Sequence, residues 1–189
     1  VATDAHRLVR YKRTDVNCPK TDSFIVPRKP LNLLKTAIPS TDEEITVSYN
    51  NNHLFVKHGT TQMSCRLIDA RFPDYKVVIP ADNPFRLTVN KSDFQSALRR
   101  VSVFSNKSTN QVALSISGSE LQLAAQDVDF SFEGNERMKC QYNGEDLMIA
   151  FNARFLIEML SAADSDEVTM ELSTPTKAGI IRPSEADSD

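Results

Sequence analysis

An aspartate and a histidine near the amino terminus come closest to an acid–base or metal-binding pair. Asp4 and His6 are two residues apart, and side chains at that spacing point to the same face of a strand. The sequence shows no third ligand or nucleophile beside them, and His53 and His58 lack the HExxH spacing of zinc proteases. A hydrolase that uses Asp4 and His6 with an unidentified partner is therefore kept as an alternative, and replacing His6 should then abolish turnover.

Two further carboxylates, Asp69 and Asp74, flank a proline-containing segment in the middle of the chain. We expect them to cap a turn and to pair with Arg66 or Arg71 rather than to act in general acid–base catalysis. The sequence contains neither GxGxxG nor GxxxxGK[ST], so no phosphate-binding loop is indicated. These observations predict no catalytic residue, no bound metal and no cofactor.

The composition indicates a globular protein from a reducing compartment. Of the 189 residues, 40% are hydrophobic and 25% are charged, and no apolar run approaches the roughly 20 residues that span a bilayer. The cysteines Cys18, Cys65 and Cys140 are far apart and odd in number, which argues against a disulfide framework or a zinc site. A net charge of −3 argues against a surface that is basic throughout.

The elements that position these residues recur along the chain. A strand runs into a helix at Pro27, at Asn90 and at Asn152, which are about 60 residues apart. Each unit is a strand, a helix and a run of antiparallel strands, which predicts an α+β fold with the helices on one face of the sheets. By this count the chain opens with the last strand of a preceding unit and closes one strand short, as part of a longer protein would.

The predicted helices have clear boundary signals. The first follows the strand 24–26 and runs to Ile38, with its prolines in the first turn and with Leu31, Leu34 and Ile38 as its buried stripe. Asn90 and Asn152 are the expected N-caps of helices 90–101 and 152–163. Further strands are predicted at 1–13, 45–49, 54–57, 62–68, 85–89, 112–116, 121–125, 128–132, 137–142, 147–151, 168–172 and 178–181.

Two motifs connect this organisation to a known family. They are Thr3-Asp4-Ala5-His6-Arg7-Leu8 and the connector Arg71-Phe72-Pro73-Asp74-Tyr75. With these motifs the chain resembles the bacterial DNA polymerase III β subunits, the sliding clamps, over nearly its whole length. In that family a TDGHRL-like strand and an RFPDY-like connector lie at the same relative positions.

The resemblance implies the DNA-clamp fold, in which two units make a domain, three domains make a subunit and two subunits close a ring around duplex DNA. Residues 1–72 would then be the second half of the middle domain, and 73–75 the connector. Residues 76–183 would be the C-terminal domain without its last strand, and 184–189 an acidic tail.

The same resemblance implies a non-enzymatic processivity factor in the bacterial cytoplasm, a head-to-tail homodimer in its full-length form. Its partners would be duplex DNA, contacted without sequence preference, and short peptides of the polymerase III alpha subunit, the clamp loader and repair proteins. A generic protein-interaction domain without a nucleic-acid role is a further alternative, which salt-dependent effects on DNA would separate from a clamp.

Three sets of residues carry these functions over from the family. A hydrophobic peptide pocket would comprise Thr3, Ala5, His6, Arg7, Leu8, Pro73, Val77, Val78, Asn152, Phe155, Thr176 and Ala178. Helix cations facing DNA would be Arg28, Lys29, Lys35, Lys91, Arg99, Arg100 and Arg154. The dimer seam would contain Val103 and Phe104, unless Phe104 packs in its own core.

The chain departs from the family pattern at three pocket positions. Ala5 replaces the usual glycine, Val77 occupies a position that is often basic, and Phe155 replaces a common tyrosine. We therefore expect a preference shifted towards apolar peptides. Leu8, Val78 and Phe155 could alternatively belong to the core.

Overall fold

The computed structural model describes residues 1–15, 20–39 and 43–184, and its chain separates into two compact units, Val1–Asp74 and Tyr75–Asp189. The sequence predictions for Cys18 and for residues 185–189 of the acidic tail lie outside the described residues. Each unit combines antiparallel sheets with helices, so the predicted α+β class is confirmed.

The first unit consists of a short hairpin, one helix and one sheet. Strands β1 (Ala2–Thr3) and β2 (Leu8–Val9) pair with each other, and helix α1 spans Arg28–Ala37. Strands β3 (Thr46–Tyr49), β4 (His53–His58) and β5 (Thr61–Arg66) form an antiparallel sheet in that order. The predicted strand at 24–26 is reduced to a single bridge between Ile25 and Ile68.

The core of the first unit is small. Only Leu54, Val56, Cys65 and Leu67 form its buried cluster among the described residues, with Leu34 and Ile38 packed at its margin. No residue of α1 is fully buried. The predicted stripe is partly buried at Leu34 and Ile38 and is wrong at Leu31, which is 48% exposed. The reason is geometric, because a sheet of only three strands covers part of the apolar side of the helix.

The second unit contains two four-stranded sheets. Its strands are β6 (Phe85–Asn90), β7 (Gln111–Ser117), β8 (Glu120–Asp127), β9 (Phe132–Lys139), β10 (Gln141–Asn143), β11 (Leu147–Asn152), β12 (Glu167–Leu172) and β13 (Ile180–Pro183). One sheet has the order β10-β6-β12-β13 and the other β11-β7-β8-β9. The chain passes from one sheet to the other at Cys140, between β9 and β10.

Helices α2 (Lys91–Val101) and α3 (Ala153–Ala162) begin where the sequence predicts. The Asn90 side chain accepts a hydrogen bond from the Asp93 amide, and the Asn152 side chain accepts one from Phe155, so both N-caps are confirmed. Both helices contribute buried residues to one large apolar core of the unit.

Two strand predictions are wrong in the second unit. Residues 128–131 form the turn between β8 and β9, in which Ser131 has a φ of 54°, so no strand covers 128–132. The predicted strand 137–142 is two strands in different sheets, because pairing is broken at Cys140. Alternating apolar residues at 128, 130 and 132 mimic a strand, although their side chains are exposed.

Candidate functional site

Residues 3–8 form a tight hairpin rather than part of a continuous strand. The hydroxyl of Thr3 donates to the Arg7 carbonyl at 2.8 Å and accepts from the Ala5 amide at 3.2 Å. Ala5 has a φ of 73°, a left-handed conformation that interrupts any strand. The predicted strand 1–13 is therefore wrong, and Leu8, in β2, is only half-buried.

Asp4 and His6 lie in a hairpin turn and not in a strand, so their spacing of two residues no longer places their side chains on one face. The Asp4 carboxylate accepts hydrogen bonds from the amides of His6 and Arg7 at 3.1 and 3.0 Å, and from Arg7 Nε at 3.0 Å. The Arg7 guanidinium holds the pKa of Asp4 below its usual range. This carboxylate therefore serves the turn, as an Asx cap does, and no strand aligns it with His6.

A pair of valines opens the second unit. Tyr75–Val78 form one turn of 3-10 helix that follows the exposed Pro73. Val77 is 77% exposed and Val78 is 61% exposed. Val78 is therefore not core, and two adjacent valines in water mark this turn as a candidate binding surface.

The other candidate pocket residues of this unit lie at the start of α3 and in the loop before β13. Asn152 caps α3 and also donates from Nδ2 to the Thr109 carbonyl at 2.9 Å, so its amide is held on both sides. Phe155 is half-buried in the first turn of α3, and Thr176 and Ala178 are exposed. Neither Leu8 nor Phe155 is buried in the core of its unit.

The cations of α1 lie on an exposed helix that has no acidic residue in its first turn. Arg28 and Lys29 occupy that first turn, where the positive end of the helix dipole repels them. Pro27 precedes the helix and provides no side-chain cap. Local helix stability does not explain Arg28 and Lys29.

Two of the candidate DNA-facing cations of the second unit have internal partners. Lys91 Nζ donates to the Ala163 carbonyl at 2.8 Å, at the end of α3. Arg100 Nε donates to Glu136 at 3.0 Å, and this guanidinium lowers the pKa of Glu136. Arg99 and Arg154 are exposed and form no ion pair with another described residue.

The candidate seam follows α2. Val103 is 64% exposed, whereas Phe104 is 39% exposed. The Phe104 ring lies over Gly134 of β9, where a Cβ on the glycine would fall 2.2 Å from Phe104 Cδ2. Phe104 therefore packs on its own sheet with part of its ring and presents the rest to solvent.

Two features of the second unit were missed by the sequence-based prediction. Phe130 and Phe132 stack at 6.1 Å between ring centroids, and both are exposed. Asn83, between the valine turn and β6, binds two backbone carbonyls. The alternation at 128–132 belongs to an exposed surface rather than to the predicted strand. Nothing in the sequence signals the contacts of Asn83.

Within the described ranges, no cluster of three or more His, Cys, Asp or Glu residues is suited to hold a metal ion. Over the same residues, no helix has both the length and the apolar character needed to cross a membrane.

The repeated helix-and-sheet units match solved structures of sliding clamps, so the chain has the DNA-clamp fold. Residues 1–74 match the central domain of the DNA polymerase III beta subunit, and residues 76–188 match its C-terminal domain. The chain therefore belongs to the DNA polymerase III beta subunit family.

Named relatives and solved structures agree with this assignment. The beta sliding clamps of Pseudomonas aeruginosa and Haemophilus influenzae are 28% and 30% identical over 100% and 96% of the chain, and 51% and 49% of their own lengths are covered. The crystal structure of the DNA polymerase III subunit beta from Pseudomonas aeruginosa matches 89% of the chain and 46% of its own, with a TM-score of 0.84 and 25% identity. A DnaN sliding clamp from Bartonella birtlesii bound to griselimycin matches 86% of the chain and 44% of its own, with a TM-score of 0.80 and 32% identity. The chain thus spans about half the length of the relatives it matches.

Proposed function

We propose that this chain serves as part of a replication processivity factor, which closes as a ring around duplex DNA and tethers the replicative polymerase. Membership of the beta subunit family supports this proposal, and the head-to-tail dimer would close at Val103 and Phe104. The proposal implies a bacterial cytoplasmic protein, and residues 1–72 and 76–183 would belong to its middle and C-terminal domains.

The proposed protein is not an enzyme. It binds and slides, and neither task requires a bond to be broken. The occupied carboxylate of Asp4 supports this proposal, because a turn cap with three donors around it is poorly suited to take up protons from a substrate.

Tethering would use a binding site for short apolar peptides. Its proposed residues are those of the hairpin at Thr3–Leu8 in the first unit and the candidate residues of the second unit. The exposed Val77–Val78 pair carries the proposal. Apolar side chains that remain in water offer a partner the free energy of removing that area, about 25 cal/mol per Å². Val77 and Phe155, where the family often has a basic residue and a tyrosine, favour apolar over polar partner residues. Peptides of the polymerase alpha subunit, the clamp loader and repair proteins are the proposed ligands.

The pocket is tested by titrating the chain with a labelled peptide of the Gln-Leu-x-Leu-Phe type, followed by fluorescence polarisation. We expect saturable binding by the wild type. Leu8→Asp and Val77→Asp should each raise the Kd at least tenfold, because each places a charge against an apolar peptide residue. A tenfold change in Kd corresponds to about 1.4 kcal/mol of binding free energy.

Val128 provides a matched control. It is 76% exposed, close to the 77% of Val77, in the same unit, so Val128→Asp introduces the same charge at an equally exposed site. Binding should be retained in this variant, and circular dichroism should show that all variants fold. Equal loss in Val77→Asp and Val128→Asp would contradict the pocket, as would no binding by the folded wild type.

A further inference from the structure

Asn83 connects the segment before β6 to the loop before β13. Its side-chain nitrogen Nδ2 donates to the Glu171 carbonyl at 3.0 Å and to the Ala178 carbonyl at 3.0 Å. Glu171 belongs to β12, and Ala178 lies two residues before β13 begins. One amide group therefore fixes the end of the 173–179 loop to the strand that precedes it.

The identity of the residue matters at this position. Two carbonyl oxygens facing the same atom require a group with two N–H donors, which fixes the orientation of the amide. The Oδ1 atom is buried and has no hydrogen-bond partner among the described residues. A buried acceptor without a partner is unfavourable, so the contribution of Asn83 comes from its NH2 group.

The loop that Asn83 holds carries Thr176 and Ala178, both exposed. Lys177 donates its amide to the Thr174 carbonyl at 3.2 Å, which closes a turn at the tip. Gly179 lies against Leu172, where a Cβ would come within 3.0 Å of Leu172 Cδ2. The turn at Thr174–Lys177 and the contact of Gly179 act close to the loop. Asn83 instead connects the loop to the segment between Val78 and β6.

We propose that Asn83 is a positioning residue for the peptide pocket, which fixes the 173–179 loop so that Thr176 and Ala178 present a constant surface to the bound peptide. This inference rests on the proposed peptide-binding function. Asn83 itself contacts no peptide. It reduces the number of loop conformations that binding would otherwise have to select.

The test compares Asn83→Ala with Gln95→Ala in the 189-residue chain, using the labelled Gln-Leu-x-Leu-Phe peptide. Gln95 is the matched control, because its Nε2 also donates to two acceptors, the Ile157 carbonyl at 3.0 Å and Ser161 Oγ at 2.6 Å, between α2 and α3. Both variants should lower the melting temperature. Only Asn83→Ala should weaken peptide binding, by about tenfold, which is about 1.4 kcal/mol.

A second readout separates positioning from general stability. Thr176→Ala should weaken binding in the wild-type background and have little further effect in Asn83→Ala, because the loop is no longer held in place. Hydrogen exchange should become faster in 173–179 and remain unchanged in β7 and β8. If Asn83→Ala does not fold, Asn83→Ser, which retains one donor, is measured in the same way.

The outcomes distinguish this inference from the function on which it rests. Wild-type binding with equal affinity in the Asn83 variants, or additive effects with Thr176→Ala, would overturn the positioning role and leave the pocket intact. No binding by the folded wild type would overturn the proposed function and the positioning role together. Weaker binding by Asn83→Ala that is not additive with Thr176→Ala, with faster hydrogen exchange only in 173–179, would support the proposed function and the positioning role.

Discussion

Ala5 holds a backbone conformation that alanine avoids. Its φ of 73° is left-handed, which costs roughly 1–2 kcal/mol for a residue with a Cβ. The hairpin keeps it there because Thr3 and Asp4 bind the amides on both sides of the turn. The strain lies in the hairpin whose residues we propose for peptide binding.

We therefore expect Ala5→Gly to stabilise the first unit. Glycine removes the Cβ strain but loses roughly 0.5–1 kcal/mol of chain entropy, so the net gain should be about 0.5–1 kcal/mol. Ala2→Gly is the control, since Ala2 lies in β1 with no left-handed φ and its replacement should destabilise. Urea unfolding measures both, and a loss of stability in Ala5→Gly would show that the hairpin is not strained.

Gly134 and Phe104 provide a second test at single residues. A methyl group at Gly134 would collide with the Phe104 ring, at 2.2 Å from Cδ2. Gly134→Ala should destabilise the second unit by about 1–3 kcal/mol, as overpacking does. In a Phe104→Ala background the same substitution should be nearly neutral, and chemical denaturation of the four proteins closes the cycle. Additive losses would mean that the ring does not occupy this position.

Single residues could be predicted where chemistry acts locally. Asn90 and Asn152 were identifiable as N-caps because the capping bond forms within three residues of sequence. The Asp4–His6 alignment failed because one left-handed residue, Ala5, changes which side chains share a face. The contacts of Asn83 join residues 88 and 95 positions apart, and no local pattern carries that information.

At the scale of elements, α1 shows that hydrophobic periodicity predicts a helix but not how deeply its apolar side is buried. The spacing of Leu31, Leu34 and Ile38 correctly predicted a helix, but burial depends on the width of the sheet beneath it. All three side chains line an open groove of about 690 Å³. Leu34 and Ile38 also pack at the core margin, whereas Leu31 does not. Strand 128–132 failed for the complementary reason, since a period of two can also occur in an exposed turn.

Charge reversal at the start of α1 should change helix stability and DNA retention in opposite directions. Arg28→Glu with Lys29→Glu should stabilise the helix, by about 0.3–1 kcal/mol per site, because acidic residues suit its positive end. The same change should weaken the retention of the proposed full-length ring on circular duplex DNA. It should also lower the slope of affinity against salt by about 0.9 for each lost phosphate contact.

Lys35 is the control on the same helix. It lies in the last turn, where a cation is favourable, so Lys35→Glu should lower helix stability and retention together. Retention that is unchanged and independent of salt in the Arg28/Lys29 variant would contradict a role for α1 at the phosphates.

At the scale of the molecule, the repeat was visible in the sequence and the difference between its copies was not. Helix starts about 60 residues apart predicted similar units. In the second unit, residues of α2, α3 and both sheets join in one buried cluster that includes Phe94, Leu114 and Leu156. Among the described residues of the first unit, the buried apolar cluster is limited to Leu54, Val56, Cys65 and Leu67, because one helix packs on one narrow sheet.

This asymmetry predicts two thermal transitions, with the first unit melting at the lower temperature. A unit with four buried apolar side chains gains little from burial and is marginal for its length. Leu54→Ala should lower the temperature of only the lower transition, and Leu114→Ala that of only the upper one. Each substitution should reduce the free energy of unfolding of its own unit by about 2–5 kcal/mol. Calorimetry resolves the transitions, and near-ultraviolet circular dichroism follows the tyrosines, of which Tyr11 and Tyr49 lie in the first unit and Tyr75 and Tyr142 in the second. A single transition that both variants lower equally would mean that the two cores unfold as one cooperative body, and peptide binding would then stabilise both units together rather than one before the other.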